Sequence, residues 1–213
     1  MSVLIEAAVD SYQRALQAER DRVHRIELCG PLADGGTTPS AGLIARCCDK
    51  LITSVYVLIR PRIGDFVYDD DELQIMLKDI AVAKELGADG VVVGSLTRDG
   101  DVNADHLAEL VAMASPLRVG FHRAFDQLRD QDDALELLIS MQVDHVLTSG
   151  GAPTALEGAA RLHSLVERAG DRIRILAGGK IRAENAGALV RQSGVKDVHT
   201  GDWQGVAEAI AAR

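Results

Sequence analysis

No stretch of this chain is apolar for long enough to span a bilayer, so a membrane partner is not expected. The N-terminus lacks a basic segment followed by an apolar stretch, and Glu6 interrupts its first apolar run, which argues against a signal peptide. Positive charge is in deficit: 23 Lys plus Arg stand against 32 Asp plus Glu, a formal charge of −9. Phosphate backbones are held by clustered Lys and Arg, so nucleic acid is not expected as a partner either. Cysteine is scarce and odd in number, at three. Without a secretory signal these read as reduced thiols, and the expected location is the cytoplasm. There is no linker, low-complexity tract or shift of composition, so residues 1–213 read as one domain. A G-x-S-x-G nucleophile elbow is also missing, which weakens any Ser–His–Asp reading of Ser149, His122 and Asp126.

What the chain does have is a recurrence of short apolar runs, each stopping at a polar or turn residue. They are VLIEA, RIELC, VYVLIR, GVVVG, RVGFHR, HVLTSG, RILAGG and DVHTG. Helical spacing fills the intervals. Ser11 and Ser40 are candidate N-caps. Asp69, Asp70, Asp71 and Glu72 open a long helix to about Leu86, and they read as capping and dipole compensation rather than as a metal site. The last helix is expected over Trp203–Arg213. Parallel strands need crossovers of a dozen or more residues, and helices supply them. Eight such units predict a (β/α)8 TIM barrel of near-minimal length, with its reactive groups gathered where the strands end.

Charged residues inside buried strands are costly unless paired or used. Side chains alternate faces along a strand, so Glu27 shares a face with Cys29 on the second run, and Glu6 shares one with Ala8 on the first. This brings two carboxylates to neighbouring strands. They read either as a structural ion pair with Arg60 or Arg123, or as an acid/base pair in which one raises the pKa of the other. After the fifth run come His122, Arg123 and Asp126: a group able to move protons near neutrality, a bidentate anion holder and an orienting carboxylate. After the third run, Arg60 and Arg62 suggest an anionic ligand, with one arginine expected to neutralise Glu6, Glu27 or Asp65. Ser149 after the sixth run, Gly178 and Gly179 after the seventh and Gly201 after the eighth are candidate anion-binding positions. Cys47 and Cys48 are helix neighbours pointing about 100° apart, so they read as small core hydrophobes and not as a chelating pair.

Almost end to end, the chain resembles the CutC copper homeostasis family. The resemblance rests on IELCG, GGTTPS, LIRPRIGDFVY, KELGADGVVVG, FHRAFD, VLTSGG and ILAGGK. It implies a cytoplasmic (β/α)8 barrel linked to copper handling, with a pair of cysteine ligands for Cu(I) on the first two strands. The second of these matches Cys29; the first falls at Ala8, so half of the implied thiolate pair is missing. The family's charged positions appear here as Glu6, Glu27, Arg60, Arg62, Asp65, His122, Arg123 and Asp126. Two functions are therefore expected to compete. One is copper homeostasis with Cu(I) as cargo at Cys29. The other is an enzyme acting on a small anionic or phosphorylated substrate, using Glu6, Glu27, Arg60, His122, Arg123 and Asp126 as its catalytic cluster. The expected partner is a small anionic ligand or a copper ion, and a homo-oligomer is left open.

Overall fold

The computed structural model describes residues 3–212. Met1 and Ser2 at the start of the expected domain, and Arg213 at the end of the last expected helix, lie outside the described residues. Eight parallel strands close into a barrel in sequence order: β1 (Leu4–Val9), β2 (Arg25–Leu28), β3 (Val55–Leu58), β4 (Gly90–Val93), β5 (Arg118–Phe121), β6 (His145–Thr148), β7 (Arg174–Ala177) and β8 (Asp197–Thr200). Each is followed by a helix: α1 (Tyr12–Arg20), α2 (Ala41–Lys50), α3 (Asp70–Glu85), α4 (Ala104–Ala114), α5 (Gln131–Ser140), α6 (Ala159–Ala169), α7 (Ala183–Ser193) and α8 (Trp203–Ala211). The expected TIM barrel is the observed fold.

Several helices begin where the local chemistry dictates. Ser11 and Ser40 accept backbone N–H bonds at the starts of α1 and α2. Asp69 and Glu72 form a reciprocal capping box on α3, so the acidic cluster there starts the helix. Asn103 and Asp130 cap α4 and α5 with side chains that accept backbone N–H bonds, without the reciprocal partner.

The barrel wall has two chemically different faces. Outward residues such as Ala7, Val9, Ile26, Leu28, Val57, Val91, Val93, Phe121, Val146 and Val198 belong to one continuous apolar core with the helices. Inward residues one position along belong elsewhere. Cys29, Tyr56, Leu58 and Val92 form a small apolar cluster of their own inside the barrel. The remaining lumen is unusually polar for a fold whose interior is normally filled with branched aliphatics: Glu6, Arg25, Glu27, His122 and His145 are all buried.

Glycine makes room for the lumen's large rings. A Cβ at Gly120 would lie 2.3 Å from the His145 ring, and one at Gly94 would lie 2.3 Å from Cε1 of His122. Only a residue without a side chain fits on the strand beside each of these imidazoles.

Candidate functional site

The register sets the site. Glu6 on β1 pairs level with Arg25 on β2 and with His199 on β8, and Ala8 pairs level with Glu27. Three strands thus place their polar side chains against one another inside the barrel. Arg25 Nε–H donates to Glu6 Oε2 in a buried ion pair, and its guanidinium lies 4.6 Å over the Tyr56 ring. His199 Nδ1 lies 2.7 Å from Glu6 Oε1 and 3.5 Å from Glu27 Oε2. The Cys29 thiol donates weakly to Glu27 Oε1 at 3.6 Å.

The electrostatics split the two carboxylates. Burial works to raise the Glu6 pKa, but the Arg25 charge and the His199 hydrogen bond outweigh it and hold Glu6 well below the usual carboxylate range. Glu27 has no arginine partner: burial, with the neighbouring Glu6 charge, outweighs the more distant His199 and pushes it up to about 7. His199 is raised despite its burial, because Glu27 and Glu6 both favour the imidazolium. Near neutrality Glu6 is therefore anionic and Glu27 is poised to take or release a proton, while His199 is shifted toward its charged form.

At the C-terminal end of the strands lies a cavity of about 110 Å³, lined in part by Glu27, Cys29, Arg60, His122, Arg123 and His199. Of the expected catalytic cluster, Glu27, Arg60, His122 and Arg123 meet there. Unlike His199 and Glu27, against which it lies fully buried, Glu6 does not line the cavity. Asp126 stands beside it as the orienting group: it accepts from Arg123 Nε–H at 2.7 Å, from Thr148 Oγ1–H at 2.5 Å and from the Ser149 and Gly151 amides at 2.9 and 3.0 Å.

Arg60 is held differently from Arg123. Its Nη1–H groups donate to the carbonyls of Gly35 and Gly36, its Nη2–H donates to Gly64, and its guanidinium stacks on Phe66 at 4.9 Å. It ties together the loops after β2 and β3. Among the described residues no carboxylate forms an ion pair with it, and its Nε–H has no hydrogen-bond partner.

Several expected positions fall outside the cavity. Arg62 points away and bonds to Glu72, Asp65 and the Val67 carbonyl, because the α3 capping box lies within its reach. It is the arginine that neutralises a carboxylate, and that carboxylate is Asp65 or Glu72, not Glu6 or Glu27. The Gly178 N–H is already spent on the Thr148 carbonyl, continuing the sheet. Ser149 is occupied as well: its hydroxyl lies 2.9 Å from Arg123 Nη2 and donates to the Ala152 carbonyl at 2.6 Å. Gly201 lines a separate outer groove with Arg14, whose Nη2–H donates to its carbonyl. Gly179 does lie by the cavity, since a Cβ there would be 3.7 Å from Arg123 Cζ.

His122 also departs from expectation. Burial and the Arg60 charge push its pKa down to about 3, so the ring is neutral and does not carry protons near neutrality. Sequence reasoning missed Arg25, His145 and His199 as parts of the site. Their signal was parity: Arg25 is two residues before Glu27, and His199 is the inward residue of the eighth run.

Among the described residues, one three-residue group could gather round a metal: Glu6, Glu27 and His199, with ligand atoms within 4.8 Å of one another. Its oxygen and imidazole donors do not suit Cu(I), which prefers thiolate or thioether. The Glu6 oxygens are in any case already taken by Arg25 and His199. Cys47 and Cys48 sit on α2, away from the cavity lining. The residues present do not form a Cu(I) thiolate pair.

Residues 3–203 match the model of the CutC family. The human copper homeostasis protein cutC homolog is 44% identical over 196 residues, which cover 92% of this chain and 72% of that protein. The family protein CutC of Chromobacterium violaceum is 40% identical over 213 residues, covering 100% of this chain and 86% of that one. The crystal structure of CutC from Streptococcus agalactiae superposes with a TM-score of 0.90 at 34% identity, covering 95% of this chain and 100% of that one. An aldolase, QR15, superposes with a TM-score of 0.73 over 99% of this chain and 95% of that one, at 17% identity, a likeness of fold alone. No described helix is long and apolar enough to cross a membrane.

Proposed function

Because this chain belongs to the CutC family, the copper homeostasis family of its human relative, we propose that its strand-end cavity binds a small anion and moves protons on it through Glu27. The observation that carries this reading is Arg60. Arg60 is 8% exposed, lines the cavity and has no carboxylate partner among the described residues. A buried charge left uncompensated is costly, and a bound anion supplies the missing partner. Arg123 stands across the same cavity with its Nε and Nη2 fixed by Asp126 and Ser149, which sets the plane of its guanidinium. Glu27 is the acid/base group and the Glu6–His199 pair behind it is the reservoir that keeps its proton mobile. The expected experiment is thermal unfolding with phosphate, sulfate and short carboxylates. Millimolar phosphate should raise the melting temperature of the wild type and do so much less in Arg123→Gln. The shift should shrink with added salt, though less than for an exposed site. An unmoved wild-type melting temperature would leave the arginines as purely structural.

A Cu(I) cargo is the second reading, favoured by Cys29 lining the cavity and by the names of the relatives. It would be weakly held. Burial and the nearby Glu27 push the Cys29 thiol well above its ordinary pKa, which disfavours the thiolate that binds metal. Ala8 offers no second sulfur. Competition against a Cu(I) chelator should therefore show weak uptake, raised by Ala8→Cys. Tight one-to-one binding lost in Cys29→Ser would reverse this ranking.

A further inference from the structure

Anion binding and a proton carrier do not account for His122. The side chain is 4% exposed, yet it is an imidazole where a leucine would pack. Phe66 lies against it with ring centroids 4.8 Å apart, Phe121 at 6.0 Å, and Gly94 leaves just enough space beneath its Cε1. The ring is therefore fixed in place. Its Nδ1 accepts the Ala124 N–H at 3.2 Å, so the neutral tautomer carries its proton on Nε2. That Nε2–H has no partner among the described residues, although the side chain lines the cavity shared with Glu27, Arg60 and Arg123. A buried donor kept without an acceptor, on a ring that four neighbours hold still, is a donor waiting for a ligand oxygen.

We propose that His122 donates this hydrogen bond to a carbonyl oxygen, and that the cavity enolises a small carbonyl compound bearing one anionic group, a carboxylate or a phosphate. This rests on the reading of the cavity as an anion site served by Glu27. The Glu27 carboxylate removes a proton from the carbon next to the carbonyl. The C–H electron pair becomes the new C=C bond, and the C=O π pair moves onto oxygen, where the Nε2–H stabilises it. Glu27 then returns the proton to carbon, directly or after exchange with solvent. No electron is gained or lost overall and no co-reactant is needed. A neutral imidazole is the right donor here, since burial beside Arg60 keeps it from becoming an imidazolium that would simply lose its proton to the oxyanion. The small cavity fits a substrate of a few heavy atoms, with the anionic group directed to Arg123 and Arg60.

The test is deuterium uptake at carbon, followed by proton NMR in D2O, with pyruvate as the carboxylate probe and dihydroxyacetone phosphate as the phosphate probe. Wild type should exchange one or both faster than buffer, and the preferred probe identifies the anionic group. Glu27→Gln should abolish the exchange. His122→Phe keeps the ring volume and removes the donor, and should lower the rate about a hundredfold. His122→Gln, which retains an N–H at a similar reach, should recover part of the rate. Wild-type exchange no faster than buffer, with the phosphate shift present, would overturn the enolisation and spare the anion site. Absence of both would overturn the two together. Equal rates in wild type and His122→Phe would remove His122 from the chemistry.

Discussion

On the outer face of the strands stand Ala7, Val9, Ile26, Leu28, Val93 and Phe121, all buried against helices. On the inner face, one residue along, stand Glu6, Arg25, Glu27, His122 and His145, buried just as deeply. The outer residues need only volume and shape, and many sequences satisfy that. Each inner residue needs a particular partner. Arg25 answers Glu6, His199 bridges Glu6 and Glu27, and Asp126 holds Arg123. Among the described residues, several buried inner atoms still lack a hydrogen-bond partner; Arg60 Nε, Glu27 Oε2 and His122 Nε2 belong to residues that line the cavity, while Arg25 Nη2 and both His145 nitrogens lie deeper.

The sharpest way to break this contrast is to remove one inner partner. Arg25→Met strips the buried Glu6 of its arginine and leaves only His199 to answer its charge, and should cost about 3–5 kcal/mol in urea unfolding at pH 7. Adding Glu6→Gln should recover most of that loss, whereas two outer-face substitutions far apart should simply add.

The second test uses pH. The folded Glu27 pKa, about 7, lies above its ordinary value of 4.5, so between these values the folded state binds more protons than the unfolded one. Its contribution to stability therefore falls as pH rises through that window, and above it the full cost is about 3 kcal/mol. Glu27→Gln should be more stable than wild type at pH 8 by about 2–3 kcal/mol, and the advantage should vanish near pH 4.5. A wild type that stays the more stable protein at pH 8 would contradict the strained carboxylate.

A smaller effect is expected where the inner face depends on having no side chain. Gly94→Ala puts a methyl group into the His122 ring and should cost about 1–3 kcal/mol by overpacking. In the background of His122→Ala the same change should be close to neutral. The smallest effect should come from Arg62, which lies outside the cavity and whose side chain is 37% exposed: Arg62→Ala should cost at most about 1 kcal/mol and leave anion binding unchanged. A loss of phosphate response in that variant would return Arg62 to the site.

The fold was largely legible in the chain itself. Eight apolar runs separated by capped helical stretches admit few arrangements other than a closed parallel barrel, because each run is too buried and each crossover too long for an antiparallel sheet. Strand ends also marked out Glu27, Arg60, His122 and Arg123, because charge inside an apolar run is rarely idle. Parity along β1 and β2 sent Glu6 and Glu27 to the same inner face, where their oxygens come within 4.8 Å, although the register sets Glu6 level with Arg25 and Glu27 level with Ala8. The family was legible too, in LIRPRIGDFVY and FHRAFD, which are too specific to recur by accident.

What the tertiary structure alone decided is how each of these groups is spent. Arg60 and Arg62 are two residues apart and look equivalent in sequence, yet one faces the cavity without a carboxylate and the other pairs with Asp65 and Glu72. Gly178 and Gly179 are adjacent, yet the first gives its N–H to the sheet and the second lies beside Arg123. His122 looked like a proton carrier until its burial beside Arg60 made it a fixed neutral donor. The reason is the same in each case. The side-chain alternation that builds the barrel is local and written in the sequence, but protonation and pairing depend on groups brought together from β1, β2, β3, β5 and β8, and only closure of the barrel sets those distances.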